Sequence, residues 1–250
     1  MNQFSRTELL LGTDAVDILK KSFVAVFGIG GVGTFAVEAL CRSGVGKFAL
    51  LDDDKICLTN LNRQLIATHK TIGMFKTEVM RDRILEINPY AQVEMFNCFY
   101  NADTADSIDL GRYSYIIDAI DTVTAKLILI GKAKSFGIPI ISCMGTGNKL
   151  EPSKFEVADI FETWGCPLAR VMRKELKELD IKDLKVVYSR EKARTPIEDI
   201  HTSIYLEEIQ KKGSSRRQIP GSAAFVPSVA GLIMAGEVIK DLLKINDAVL

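Results

Sequence analysis

The apolar run Phe23-Val-Ala-Val-Phe, which stops on Gly28, constrains this chain more than any other stretch. It is short, β-branched and aromatic, and it carries no charge. Those are the marks of a strand buried on both faces of a parallel sheet. Gly28-Ile-Gly30-Gly31-Val-Gly33 follows, with a helix expected from about Gly31 to Ser43. Glycines here let the backbone turn tightly and approach phosphate oxygens, and the helix start adds free N–H groups and a positive dipole end. The arrangement points to a nucleotide without saying which.

Lys47 to Asp52 reads as the next strand, and further strands are expected at Gln92–Asn97, Tyr115–Asp118 and Pro139–Ser142. Helices fall between them, at about Lys76–Ile87 and Thr124–Phe136. Two short helices precede the first strand, with Ser5 and Asp14 as expected caps and Gly12 between them. Strand and helix in alternation predict an α/β fold: a Rossmann-like, mostly parallel sheet with right-handed crossovers and helices on both faces. After Gly147 the pattern changes. Phe155–Ile160 and Leu184–Ser189 read as strands, and Pro167–Leu179 as a basic amphipathic helix. This C-terminal region should extend the fold with a mixed sheet and a crossover loop. Residues 190–221 are polar and weakly periodic, and a stretch of that kind reads as a mobile functional loop.

At 250 residues the chain suits one domain, with a nucleotide-binding half at 1–150 and an elaborated half at 151–250. Gln218–Gly236 is uncharged, but Pro220, Gly221, Ser222, Pro227, Ser228 and Gly231 interrupt it. We expect a loop and then a buried helix from about Ser228 to Leu243, and no membrane span. The five cysteines form no C-x-x-C pair and the first residues lack the basic-then-apolar order of a signal peptide, so a reduced cytoplasm is expected. Residues 1–169 hold seventeen basic and twenty acidic side chains, whereas Arg170–Arg217 holds thirteen and nine. That basic excess is either a solvated helical face or a footprint for a polyanion.

Polar residues narrow the nucleotide. Asp52 ends the second strand, where a carboxylate accepts from ribose hydroxyls; this fits NAD as well as ATP. Asp54 is placed to bond loop backbone or a hydrated metal ion. Asn60-Leu-Asn-Arg63-Gln64 and then Lys76 separate the two. A dehydrogenase has no use for this set just after its ribose carboxylate, whereas an ATP cleaved at the α-phosphate does. Arg offers a planar fork to phosphate and Lys a point charge, and both offset charge growing on departing pyrophosphate. Asp121 follows the Tyr115–Asp118 strand and aims at the same crevice. A carboxylate beside a triphosphate needs a cation between them, so Asp121 is assigned to Mg2+. Asp118 reads as a strand-end hydrogen-bonding group.

The glycine turn, Asp52, Asn60-x-x-Arg63-Gln64, Lys76 and Asp121 together resemble the ubiquitin-activating-enzyme-like adenylation family, whose bacterial members activate sulfur-carrier proteins in molybdopterin and thiamin synthesis. The likeness runs over nearly the whole chain. It implies phosphate contacts by Gly30, Gly31, Asn60, Arg63 and Lys76, with Gly28 and Gln64 also among the residues that bind the nucleotide. It further implies ribose at Asp52, a homodimer in which Arg6 reaches the partner's site, and ATP with Mg2+, alongside which a structural K+ or Na+ is also expected. Two absences choose the branch. There is no paired C-x-x-C zinc site, and Ala169–Leu250 has no cysteine to carry a thioester. Thr59–Gln64, Glu86-Ile-Asn-Pro89, Tyr113–Asp121 and Pro167-Leu-Ala resemble the branch that dehydrates threonylcarbamoyladenosine beside the tRNA anticodon. There the substrate supplies its own nucleophile. The resemblance thus implies a tRNA anticodon stem-loop as substrate, with a protein of a sulfur-transfer system as a further partner. The alternative from the same family is adenylation of the C-terminus of a ubiquitin-like sulfur carrier. An NAD-dependent oxidoreductase and a non-catalytic nucleotide-binding scaffold are the readings outside it.

Overall fold

The computed structural model describes residues 1–197 and 220–245. Its seven-stranded sheet has the order β3-β2-β1-β4-β5-β7-β6. The strands are β1 Phe23–Phe27, β2 Lys47–Leu51, β3 Gln92–Phe96, β4 Tyr115–Asp118, β5 Ile140–Cys143, β6 Phe155–Asp159 and β7 Lys185–Ser189. All neighbours pair in parallel except β6, which runs antiparallel to β7. The expected α/β class and the mixed C-terminal extension are both present.

Alternation along β1 assigns the two faces. Val24 and Val26 enter one apolar core, Ala25 and Phe27 the other, because successive side chains point to opposite sides of a sheet. The first core is covered by α3 Gly33–Ser43, α4 Lys76–Ile87 and the long C-terminal helix α8 Phe225–Leu243. The second is covered by α6 Val123–Ser135 and α7 Pro167–Glu178. The remaining helices are α1 Ser5–Leu11, α2 Thr13–Lys21 and the single turn α5 Ala102–Ala105. Buried Val226, Ala230, Met234 and Val238 recur every fourth residue and form the stripe by which α8 is held. Burial of each larger member contributes about 1.5–3 kcal/mol.

Three boundaries differ from the sequence reading. α8 starts at Phe225, not Ser228, and takes Pro227 into its first turn, where the missing N–H would have had no helical partner anyway. Ser5 lies inside α1 rather than capping it, and its Oγ accepts from the Asn2 N–H at 2.8 Å. Asp14 sits in the first turn of α2, favourably placed at the positive end of that helix, with Gly12 as the capping residue. Of the expected loop at 190–221, residues 198–219 lie outside the described residues, and with them His201 and the Lys211–Arg217 cluster. No described helix is long and apolar enough to cross a membrane.

Strand order reverses between β1 and β4. β1 is followed through α3 to β2 on one side, while β4 and β5 lie on the other. At such a switch point the loops leaving neighbouring strands diverge and open a crevice beyond the carboxyl ends.

Candidate active site

The crevice floor is the glycine turn after β1. Gly28 has φ of +93°, and a Cβ there would stand 2.6 Å from the Ala119 carbonyl oxygen. A Cβ on Gly33 would collide with the Gly28 carbonyl oxygen. These two glycines therefore close the turn against β4 and against itself. Gly30 differs: a Cβ there would meet nothing nearer than Gln64 Nε2 at 3.9 Å, so its backbone is open on the crevice side. Gly31 packs against Pro227 and the Arg63 stem. Thr34, in the first turn of α3, donates to the Gly30 carbonyl at 2.7 Å and accepts from the Leu65 N–H at 3.4 Å. It stitches the turn to the Asn60–Gln64 loop. Sequence reasoning passed over it, because a buried Thr in a helix carries no pattern of its own.

Asp52 leaves β2 beside this turn and accepts from the Ile29 N–H at 2.7 Å and the Asp54 N–H at 2.9 Å. Lys76, the first residue of α4, brings Nζ to 2.6 Å from Asp54 and 3.3 Å from Asp52. The Lys76 side chain is 6% exposed and that of Asp52 9%. Burial pushes the Asp52 carboxyl up, and Lys76 with the two N–H groups offsets only part of that. For Lys76 burial acts downward, but Asp52 and Asp54 outweigh it and hold the ammonium above its ordinary value. Asp54, expected to bond loop backbone or a hydrated metal ion, instead pairs with Lys76.

The loop between β2 and α4 supplies the other polar groups. Asn60 is buried and its Oδ1 accepts from the Cys57 N–H at 3.2 Å, which fixes the turn. Arg63 donates to the Thr59 carbonyl at 2.8 Å and to Asn62 Oδ1 at 3.0 Å, with its stem against Gly31. Gln64 is buried beside Gly30, and its Oε1 has no hydrogen-bond partner. The amide nitrogen of Gln64 lies on the Gly30 side, while Oε1 is an unmet acceptor closed off inside the protein.

Across the switch point, Asp118 ends β4 fully buried. It accepts from the Ile120 N–H at 3.1 Å, from Ser142 Oγ at 2.5 Å and from Lys126 Nζ at 2.9 Å. Lys126 also reaches the Cys143 carbonyl at 2.9 Å. Asp118 is thus the expected strand-end anchor, and it holds the short segment that presents Asp121. Asp121 itself is exposed. It lies near enough to Asp53 that, with burial and Asp54, it pushes that carboxyl up. Oxygens of Asp52, Asp53 and Asp54 lie within 4.8 Å of one another. An all-carboxylate donor set fits a hard cation such as Mg2+ and not a soft one. Cys143 and Cys166 are both buried, and burial pushes the Cys143 thiol up to about 12, so that thiol is inert rather than nucleophilic.

Arg6 is the predicted residue that the fold keeps away. Phe4 packs on Gly44 and Gln3 donates to Asn88, the residues that end α3 and α4. The glycine turn and Lys76 sit at the opposite ends of those helices. For the eleven residues of α3 that separation is roughly 16 Å. The basic helix also divides. Arg170, Lys174 and Lys177 are exposed on one face of α7, whereas Arg173 turns inward to the Thr163 carbonyl at 2.9 Å.

A further joint was not foreseen. Asn148 adopts a left-handed φ of 61°. Its carbonyl accepts from the Arg194 N–H at 2.8 Å, its N–H donates to the Gly221 carbonyl at 2.7 Å, and its Oδ1 accepts from the Gly221 N–H at 2.6 Å. Next to it, Asn62 of the polar loop donates to the Ser222 carbonyl at 2.9 Å.

Known proteins resemble this chain in sequence and fold. The tRNA threonylcarbamoyladenosine dehydratase of Bacillus subtilis (strain 168) is 43% identical over 245 residues, which is 98% of this chain and 96% of that protein. The dehydratase of Escherichia coli (strain K12) is 39% identical over 175 residues, covering 70% of this chain and 65% of that one. A crystal structure of the E. coli dehydratase TcdA in complex with AMP superposes with a TM-score of 0.85 at 32% identity, over 97% of this chain and 94% of that one. Its complex with ATP gives 0.83 over the same shares. The ThiF family profile matches residues 4–249. A match over almost the full length, with a relative of nearly equal length at 43% identity, settles the lineage: the chain belongs to the ThiF family.

Proposed function

We propose that this protein is an ATP-dependent tRNA threonylcarbamoyladenosine dehydratase. A carboxylate oxygen of the threonylcarbamoyl group attacks the α-phosphorus of ATP, the bond to pyrophosphate breaks, and an acyl-adenylate forms. The carbamoyl group of the same substituent then attacks the activated carbonyl, the bond to AMP breaks, and the ring closes with loss of a proton. The balance is one ATP consumed, AMP and pyrophosphate released, and the elements of water removed from the nucleoside. The observation that carries this reading is Lys76, buried against Asp52 beside the open backbone of Gly30, in a chain that matches dehydratases from end to end.

Donor and acceptor counts support the residue roles. A carboxylate has about four acceptor sites and an ammonium three donors. Asp52 gives two sites to backbone N–H groups and one to Lys76, which leaves one for a ribose hydroxyl. Lys76 gives two donors to Asp54 and Asp52, and the third serves phosphate with Arg63, Asn60 and the N–H groups of Gly30 and Gly31. Gln64, whose amide nitrogen lies beside Gly30, borders the nucleotide. Asp121, with neighbouring Asp53, would hold Mg2+, which when bound offsets charge on the phosphates. No thiol is required. We further propose a homodimer in the cytoplasm, in which Arg6 completes the partner's site. In support, Arg6 is exposed and far from its own crevice, beside Leu9 and Leu10, which are 88% and 81% exposed.

The test is nucleoside mass analysis of tRNA from cells lacking the protein, and of modified tRNA incubated with purified protein and ATP. We expect the cyclic nucleoside to vanish in the first and to form with AMP in the second. An unchanged nucleoside profile in both would refute the assignment.

A further inference from the structure

The edge of strand tips continues past Asp121 to a feature that adenylation does not use. Trp164 is the one tryptophan of the chain, and it is 55% exposed. It stands between the short turn Ile160–Glu162 and the first residue of α7. Arg190, the residue after β7, places its guanidinium 5.1 Å from the centre of the indole ring. Arg173 bonds to the adjoining Thr163, and exposed Arg170 lies in the first turn of α7. The acids nearby are Glu156, which pairs with Arg190, and Glu162. One ring face is thus backed by a cation, in a neighbourhood with more arginine than acid.

Position gives this cluster its meaning. β4, β5 and β7 are successive parallel neighbours, so Arg190 emerges on the same edge as Asp121. Two strand spacings separate them, roughly 10 Å along that edge. Gly145, just beyond β5, packs on Leu168 at the start of α7 and joins the two places.

We propose that Trp164, backed by Arg190, is a stacking platform for an unpaired base of the anticodon loop, next to the adenosine being modified. This rests on the reading that tRNA is the substrate. Bases splayed out of single-stranded loops stack on aromatic faces and guanidinium planes, and such stacking tolerates sequence because every base has a π-face. A loop that offers its modified adenosine at Asp121 has its neighbouring nucleotides along the same edge, on which the Arg190–Trp164 pair stands two strands away.

The single tryptophan makes the site its own reporter. Purified protein is titrated with tRNA carrying threonylcarbamoyladenosine while indole emission is followed, and cyclisation is measured by mass in the same samples. Saturable quenching is expected. Trp164→Ala should raise KM for tRNA about 5- to 150-fold, the range that loss of one base–aromatic stack implies. KM for ATP and kcat should stay within about twofold, and Trp164→Phe should keep most of the affinity. Cyclisation without quenching, with KM for tRNA unmoved in the alanine variant, overturns the platform and leaves the dehydratase reading intact. No cyclisation and no quenching by the wild-type protein overturns both. Quenching by a sulfur-carrier protein but not by tRNA assigns the surface elsewhere and overturns the platform as well.

Discussion

Replacing Lys76 with Met separates what this side chain does for the fold from what it does for ATP. Methionine fills similar space but removes the ammonium from between Asp52 and Asp54. Breaking a buried ion pair from one side costs about 3–5 kcal/mol. Here the cost should sit below that range, because Asp54 is 66% exposed and Asp52 keeps its two backbone N–H donors. We expect about 2–3 kcal/mol, a lowering of Tm by roughly 5–12 °C for a chain of this size. The deficit should shrink on acidification. The Asp52 carboxyl, already pushed up by burial, rises further without its cation, so the folded variant binds a proton that the unfolded chain does not, and stability is lost as pH rises through that folded value. Adding Asp52→Asn removes the orphaned charge and should recover most of the Tm. Catalysis should follow another course. Losing one preorganised cation at a developing phosphate charge costs about 10²–10³-fold, and the double variant cannot regain it. Thermal melts across pH and tRNA-dependent AMP formation give both readouts. If Lys76→Met makes AMP within threefold of wild type, the ammonium is not aimed at phosphate and the site as drawn is wrong. If its Tm is unchanged, the pairing energy is misjudged.

Gly33→Ala forces a methyl into the Gly28 carbonyl and should cost more than about 3 kcal/mol, read as loss of soluble protein or a collapsed urea midpoint; a wild-type midpoint would contradict the turn geometry. Asp121→Ala should abolish AMP formation with little change in Tm, since the side chain is exposed. Mixing it with Arg6→Ala should restore about a quarter of the activity, because half the dimers are mixed and each holds one intact site; no recovery argues against a shared site. Burial pushes the Glu38 carboxyl up, but Arg83 and Arg42 more than offset it and hold the group below its usual range. Its contribution is therefore full above the ordinary carboxylate value and lost as pH falls through the depressed one. Urea midpoints from pH 6 to 3 should fall more steeply in wild type than in Glu38→Gln.

Much of this was legible in the chain because the signals were local. β1 is an uninterrupted apolar run, β2 is one after its leading Lys47, and Lys76 opens α4 as expected. Asp52 and Asp121 could be placed because each follows a strand whose end defines a crevice. What stayed hidden depends on contacts between distant residues. Ser142 and Lys126 sit within apolar segments and give no sign that they converge on Asp118. Arg173 fits the basic face by spacing, yet its bond to Thr163 draws it away. Pro227 looks like a breaker until the helix start is known to lie two residues before it. The division among the glycines, with Gly28 and Gly33 demanded by sterics and Gly30 left open, cannot be seen in a motif that writes them all alike.

The knot at Asn148 ties two distant points of the chain, Arg194 and Gly221, to one residue, like the ends of a purse string. Asn62 on the polar loop takes hold of the neighbouring Ser222 carbonyl. The pin is a left-handed backbone that asparagine tolerates and a β-branched residue does not. One substitution there would therefore slacken three bonds together and let Gly221 and Ser222 drift from the side of the crevice that Asn60–Gln64 forms.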